Sequence, residues 1–230
     1  MKYTNIQSAV FISRPNRFIA MVEIDGTIET VHVKNTGRCK ELLIPGVQVI
    51  LEKSDNPTRK TLYDLVMVHK EGLGWINIDS QMPNYLVREW LVEQPEIFKD
   101  ITFIRQEYTY GNSRMDFYME GADKKVLMEV KGVTLERDGI GYFPDAPTER
   151  GVKHIRELIK AKEAGYEAYI AFVIQMNGIT EVRPNIETHP EFGEALNEAK
   201  KAGVRVLFLG CQISMDEIKI NLCMEKKTCP

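Results

Sequence analysis

The chain has little that would tie it to a membrane, an oxidising compartment or a bound nucleotide. Its 230 residues contain no apolar run of about eighteen residues, which excludes a spanning helix. The opening Met1-Lys2-Tyr3-Thr4-Asn5 enters a strand-like alternation directly and lacks the apolar core of a signal peptide. Only four cysteines occur, Cys39, Cys211, Cys223 and Cys229, with neither C-x-x-C spacing nor the clustering a zinc site needs. A reduced, cytoplasmic protein is expected, in which Cys223 and Cys229 could pair only adventitiously in air. A phosphate-cradling Gly-rich loop is missing too, so a sugar-metabolising enzyme finds no support. The net charge of -3 rules out a uniformly basic coat but not local basic stripes beside metal-binding acids. What remains is a soluble globular protein with a core of ordinary size.

Residues 1–80 read as short strands separated by turn chemistry. Ala9–Ile12, Arg17–Ile24, Ile28–Val33, Val47–Leu51, Leu62–Val68 and Trp75–Ile78 are rich in β-branched and aromatic residues. Asp25-Gly26 is a two-residue hairpin signal. So many short strands in this length predict a small closed β-barrel, OB-like, with a small open sandwich as the competitor.

The period changes in residues 81–230, which read as an α/β domain with a mixed sheet. A helical face runs from Asn84 towards Lys99, interrupted at Pro95. Three strands follow (Thr102–Tyr108, Ser113–Met119, Val126–Gly132), then a loop with Gly139, Gly141, Pro144 and Pro147. A helix over Glu149–Ala164 leads to Tyr166–Gln175, a nearly continuous apolar run that suits a buried strand. Pro190–Ala202 is a last helix and feeds a strand at Val204–Leu209. No linker marks the boundary near residue 80.

The second and third strands of this half carry the chemistry. Met115, Phe117 and Met119 alternate onto one face, as do Val126, Met128 and Val130, and these faces must meet the core. Arg114 and Asp116, with Glu129 and Lys131, fall opposite. If Ala122-Asp123 is a two-residue turn, Asp116 lies across from Glu129 and Arg114 from Lys131. Directly opposed Cβ atoms are about 4.5–5.5 Å apart. Two carboxylates that close repel unless a divalent cation bridges them or one is protonated. Two oxygen donors with room for water suit Mg²⁺, and a lysine on the same face can orient water or stabilise charge on a phosphate. The same spacing also fits an ordinary solvent-facing sheet.

These residues resemble the P-D…(D/E)-x-K nuclease signature, and the chain resembles the sugar fermentation stimulation protein (SfsA) family. The resemblance rests on Asn35-Thr36-Gly37 with Pro45-Gly46, on Ser113–Phe117, on Glu129–Leu135, and on Gly141–Gly151 continuing to Lys153-His154 and Arg156-Glu157-Leu158. It implies an N-terminal OB-like domain, a C-terminal αβββαβ nuclease-like domain and an association with DNA. It also implies Asp116, Glu129 and Lys131 as catalytic residues with Mg²⁺ or Mn²⁺ as cofactor. Asn84 and Glu89 match the family as well, and Glu89 is a candidate further metal ligand, since related nucleases draw an acid from that helix. Two departures, Lys34 where some members have proline and Gly132 where some have serine, leave the acids and the lysine untouched.

A helix N-terminus favours phosphate, so Arg150, Lys153 and His154 are expected to grip a nucleic-acid backbone, together with Arg114. Lys34, Asn35, Arg38 and Lys40 form a basic stretch on the barrel that would track the backbone with little sequence preference. The partner is expected to be nucleic acid, DNA with RNA left open, and not a membrane; a homo-oligomer is left open. A non-catalytic DNA-binding protein acting on carbohydrate-utilisation genes is the alternative. Two opposed carboxylates that repel phosphate favour the enzyme.

Overall fold

The structure, a computed structural model, describes residues 1–225 apart from Thr36 and Gln94. Cys229, and with it the pairing to Cys223, lies outside the described residues, as does Thr36 of the Asn35-Thr36-Gly37 motif. The alternating segments of the first half become β1 (Ile6–Asn16), β2 (Ile19–Ile24), β3 (Thr27–Val33), β4 (Gln48–Lys53), β5 (Tyr63–Lys70) and β6 (Gly74–Asn77). Asp25 and Gly26 hold φ of 48° and 80° between β2 and β3, the left-handed pair a two-residue hairpin demands. The strand order is β3-β2-β1-β4-β5-β6, and a short parallel pairing of β3 with β5 closes five strands into a barrel. A register shift in β1 between Phe11 and Ser13 adds the local twist that closure needs. Phe11, Val22, Val31, Val49 and Leu65 are buried in the barrel's core. The closed barrel matches the OB-like expectation rather than the open sandwich.

The second half contains α1 (Met82–Val92), β7 (Ile101–Tyr110), β8 (Ser113–Gly121), β9 (Lys125–Val133), β10 (Leu135–Arg137), β11 (Ile140–Phe143), α2 (Glu149–Glu163), β12 (Glu167–Ile174), β13 (Val182–Pro184), α3 (Pro190–Lys201), β14 (Arg205–Ile213) and β15 (Ile218–Glu225). A mixed six-stranded sheet runs β15-β14-β12-β9-β8-β7, with β9, β12 and β14 parallel. The apolar run of β12 is explained by burial on both faces. Ile170 and Phe172 share a core with Ile155 and Leu158 of α2 and Phe192 of α3. Tyr169, Ala171 and Val173 share the other with Leu86 and Trp90 of α1. Each of the larger of these side chains contributes about 1.5–3 kcal/mol by leaving water, so β12 is a stiff neighbour that holds β9, and β8 beyond it, in place. No helix among the described residues is long and apolar enough to cross a membrane.

Three details differ from the sequence reading. The helix expected towards Lys99 ends at Val92, and a short 3-10 turn over Glu96–Phe98 follows Pro95, which cannot continue a helix. The loop around Gly139 is partly ordered as the β10–β11 hairpin, which pairs in parallel with β13 to form a small second sheet. A further strand, β15, to which the sequence reading assigned no element, pairs antiparallel with β14.

The two halves share a seam. Asn77 N–H donates to the Gln175 carbonyl at 3.0 Å. The Gln175 amide donates back to Asn77 Oδ1 at 2.7 Å and to the Asp79 carbonyl at 3.1 Å. Ile76 and Ile78 lie in one hydrophobic core with Met176 and Ile179. The barrel is therefore packed against the end of the central strand β12 rather than merely tethered to the sheet.

Candidate active site

β8 and β9 form a regular antiparallel ladder from Glu120 opposite Lys125 to Phe117 opposite Met128, the register the Ala122-Asp123 turn implies. At Asp116 the ladder stops. Asp116 Oδ2 accepts the Val130 N–H at 2.7 Å, and Oδ1 accepts from Asn84 Nδ2 at 3.0 Å. A side chain thus satisfies a strand donor that would otherwise be orphaned, and the strand's faces exchange at this point. Met115 joins the core of Tyr118 and Leu127, whereas Phe117 and Met119 join that of α1. The expectation that Met115, Phe117 and Met119 share one face is corrected accordingly. So is the place of Arg114, which pairs with Thr109 of β7 and reaches Glu107 at 3.5 Å instead of standing across from Lys131.

Glu129 is buried at 3% exposure. Its Oε1 accepts from Lys131 Nζ at 2.6 Å and from His154 Nδ1 at 2.5 Å. Its Oε2 is buried and has no hydrogen-bond partner among the described residues. Arg150 Nε donates to His154 Nε2 at 3.3 Å; arginine only donates, so the proton of the ring sits on Nδ1, facing Glu129. Burial, with the nearby charge of Glu129, pushes the Asp116 carboxyl up to about 6. Burial acts the same way on Glu129, but Lys131 and His154 outweigh it and hold that carboxyl below its ordinary value. One acid is therefore kept ionised while its neighbour gives up its proton only near pH 6, so the two charges come together at neutral pH.

Asp116, Glu129, Lys131 and Arg150 line a recess of about 400 Å³ whose walls come from both halves of the chain. Asn35, Gly37 and Ser80 stand on the barrel side; Asp145, Thr148 and Arg150 stand on the other. Thr148 caps α2, its Oγ1 accepting the Gly151 N–H at 3.1 Å, so the helix opens towards the acids. Among the described residues no group of three or more His, Cys, Asp and Glu side chains forms a ready-made metal cage. The donor set nonetheless fits a hard cation that keeps much of its water. It offers two carboxylates with an unpartnered, buried Glu129 Oε2, beside an Asn84 Oδ1 that is likewise buried and unpartnered.

Several expected residues are placed elsewhere. Glu89 is exposed and pairs with the Met1 ammonium at 2.7 Å, so it is not a third acid of this recess. Helical periodicity accounts for this, since Leu86 and Trp90 point to the core and leave Glu89 facing outward. Lys34 is held among Asp64 at 3.2 Å, Asp79 at 3.4 Å and Glu52 at 3.8 Å, which leaves it no charge to spare for a phosphate. Lys153 donates to the Asn112 carbonyl at 2.7 Å on the outer side of α2. His154 is a buried partner of a carboxylate rather than a grip on phosphate. Asn35 lines the recess but is fixed by its bonds to the Ile78 carbonyl at 2.8 Å and the Gly37 N–H at 2.7 Å. Arg38 and Lys40 line an adjoining groove with Arg14 and Arg17, and Gly37 borders both hollows.

Asp145 and Gln175 line the recess and were not singled out by sequence reasoning. A signal existed for Gln175, a polar side chain closing the apolar run of β12. It also accounts for Gly132, where a Cβ would stand 2.4 Å from Gln175 Oε1 and 2.8 Å from Pro83 Cγ.

An OB-like barrel joined to a mixed α/β sheet, with two neighbouring acids and a lysine bonded to one of them, defines the class of architecture. Residues 12–78 match the SfsA N-terminal OB domain, and residues 81–217 match the sugar fermentation stimulation protein RE domain. The sugar fermentation stimulation protein homolog of Desulfitobacterium hafniense strain DCB-2 is 57% identical over 219 residues, 95% of each chain. That of Clostridium beijerinckii is 56% identical over 221 residues, 96% of this chain and 97% of the relative. The structure of Pyrococcus furiosus SfsA in complex with Ca²⁺ is similar at a TM-score of 0.80 and 28% identity, covering 98% of this chain and 95% of that one. The chain belongs to the sugar fermentation stimulation protein (SfsA) family.

Proposed function

We propose that this chain is a divalent-cation-dependent nuclease that hydrolyses phosphodiester bonds of DNA or RNA. The observation that carries the reading is the buried, unpartnered Oε2 of Glu129, set in one recess with Asp116 and Lys131. An unsatisfied buried polar atom costs about 1–3 kcal/mol, and more when charged; such a cost persists where a function needs it. Asp116 and Glu129 would hold Mg²⁺ or Mn²⁺. When bound, such a cation polarises a phosphoryl oxygen and acidifies water. The Ca²⁺ complex of the Pyrococcus furiosus relative, another hard cation, agrees with this reading.

Lys131, held at 2.6 Å from Glu129 Oε1, presents its ammonium to the phosphate as it gains charge in the transition state. The capped start of α2 offers free N–H groups to the same phosphate, with Arg150 at the rim. Arg38 and Lys40, with Arg14 and Arg17, extend positive charge onto the barrel, and none of the described residues lining their groove is acidic. Backbone-dominated binding follows, with little reading of base sequence.

The test is hydrolysis of DNA and RNA oligonucleotides in Mg²⁺ or Mn²⁺ by the wild type, Asp116→Asn and Lys131→Ala. Cleavage by the wild type and loss of at least about a hundredfold in each variant is expected. Equal activity in all three would overturn the assignment. Tight binding without cleavage under any cation would leave a non-catalytic DNA-binding protein, in keeping with the family's name.

A further inference from the structure

We propose that Arg150 and His154 form a positioning pair that aims Glu129 Oε2 into the recess, so that cation affinity depends on two residues that are not ligands. The inference rests on the cation reading above and goes beyond it.

A glutamate carboxylate turns freely about its last torsion unless something holds one oxygen. Here two donors, Lys131 Nζ at 2.6 Å and His154 Nδ1 at 2.5 Å, converge on Oε1 and none on Oε2. The lysine alone cannot fix the choice, because its flexible ammonium can follow either oxygen. The imidazole can, because it is rigid, buried at 5% exposure and carried on a helix locked into the core by Ile155 and Leu158. Arg150 lies one helical turn before His154, on the same side of α2. Its bond to Nε2 directs the ring proton to Nδ1, where Glu129 needs a donor. Both ring nitrogens are thereby engaged, so His154 neither takes a proton from water nor binds the cation. This is the arrangement by which residues around a metal ligand orient it, and loss of such a partner lowers metal affinity by about 10–100-fold.

The experiment is calorimetric titration of the full chain with Mn²⁺, without nucleic acid, so that no turnover enters the readout. His154→Ala is expected to weaken binding by about 10–100-fold. His154→Asn, which restores an N–H near the Nδ1 position, is expected to recover most of that loss. Arg150→Ala, at an exposed residue that folding tolerates, is expected to weaken binding severalfold without shifting thermal unfolding; should His154→Ala fail to fold, this variant decides. Wild-type affinity in both His154→Ala and Arg150→Ala, with binding lost in Glu129→Gln, overturns the positioning pair alone. A loss in His154→Ala that His154→Asn does not recover marks a packing effect and also overturns it. Undiminished binding in Glu129→Gln overturns the cation reading, and the pair with it.

Discussion

The Val130 amide donates to Asp116 Oδ2 at 2.7 Å, so a side-chain bond stands where the β8–β9 ladder would otherwise continue. The same carboxylate that closes the ladder lines the recess. Its energetics should therefore be readable in folding and, on the cation reading proposed above, in Mn²⁺ titration.

Asp116→Asn should make the cation-free protein more stable at neutral pH. Burial and the charge of Glu129 lift the Asp116 carboxyl to about 6 from its ordinary 3.8. Between those values the folded chain holds a proton that the unfolded chain has released, so stability falls as pH rises through the window. At pH 7 the penalty is about 3 kcal/mol for two pH units, as an upper bound. Asparagine removes the charge, and Asn84 can turn its unpartnered Oδ1 to accept the new N–H. Urea unfolding in chelator should show a gain of about 1–3 kcal/mol at pH 7 and none near pH 4. A loss at pH 7 would contradict this account.

Mn²⁺ affinity should rise with pH and level off above about 6, because the cation competes with the proton on Asp116. Calorimetric titrations at several pH values between 5 and 8 check it. An affinity flat across that range would mean that Asp116 is not a ligand.

Gly37→Ala should be costly although the residue is half-buried. A Cβ there would stand 2.1 Å from Asp145 Oδ2 and 2.8 Å from Asn35 Oδ1. Overpacking of this kind costs about 1–3 kcal/mol. Trimming the neighbour with Asp145→Ala should relieve part of it, so the double variant should be more stable than the two single losses add up to. Thermal unfolding of the four proteins measures the coupling.

Asp64→Asn should weaken the barrel at neutral pH. Burial alone would raise this carboxyl, but Arg59, His32 and Lys34 together bring it down to about 2. That stability is present above pH 4 and lost as pH falls towards 2, and it amounts to about 2–3 kcal/mol. Acid unfolding of the wild type should be steeper than that of the variant over this range.

Nucleic-acid affinity should fall strongly between about 50 and 200 mM salt, and Arg38→Glu with Lys40→Glu should both weaken binding and flatten that dependence. A salt-independent affinity would speak against backbone-dominated contact.

How much of this was legible in the sequence depends on whether a feature is local. The hairpin of β8 and β9 could be registered because side chains alternate and the Ala122-Asp123 turn fixes the pairing. Asp25-Gly26 was recognised as a turn between clear strands. Asp138-Gly139 has the same chemistry, with φ of 51° and 79°, yet β10 and β11 are three and four residues long and gave too little alternation to register. β15 was hidden because exposed polar residues, such as Lys219 and Asn221, break up the apolar pattern of an edge strand. The role of His154 could not be read at all. Its partner, Glu129, lies on another element, and only the docking of α2 on the sheet brings the two together. Glu89 shows the converse: its presence on the right helix was legible, but not the side of the helix it occupies.

The seam built on Asn77 and Gln175 has a consequence for how substrate meets the protein. Swinging the barrel away from the sheet would break four bonds between Asn77, Asp79 and Gln175 and expose the apolar contact of Ile76 with Met176. The two halves therefore act as the fixed jaws of a caliper, and the gap between Gly37 and Arg150 is a set gauge. On the nucleic-acid reading proposed above, a strand entering the recess must conform to that width by its own bending, and deformability, rather than base identity, is the property expected to sort what binds.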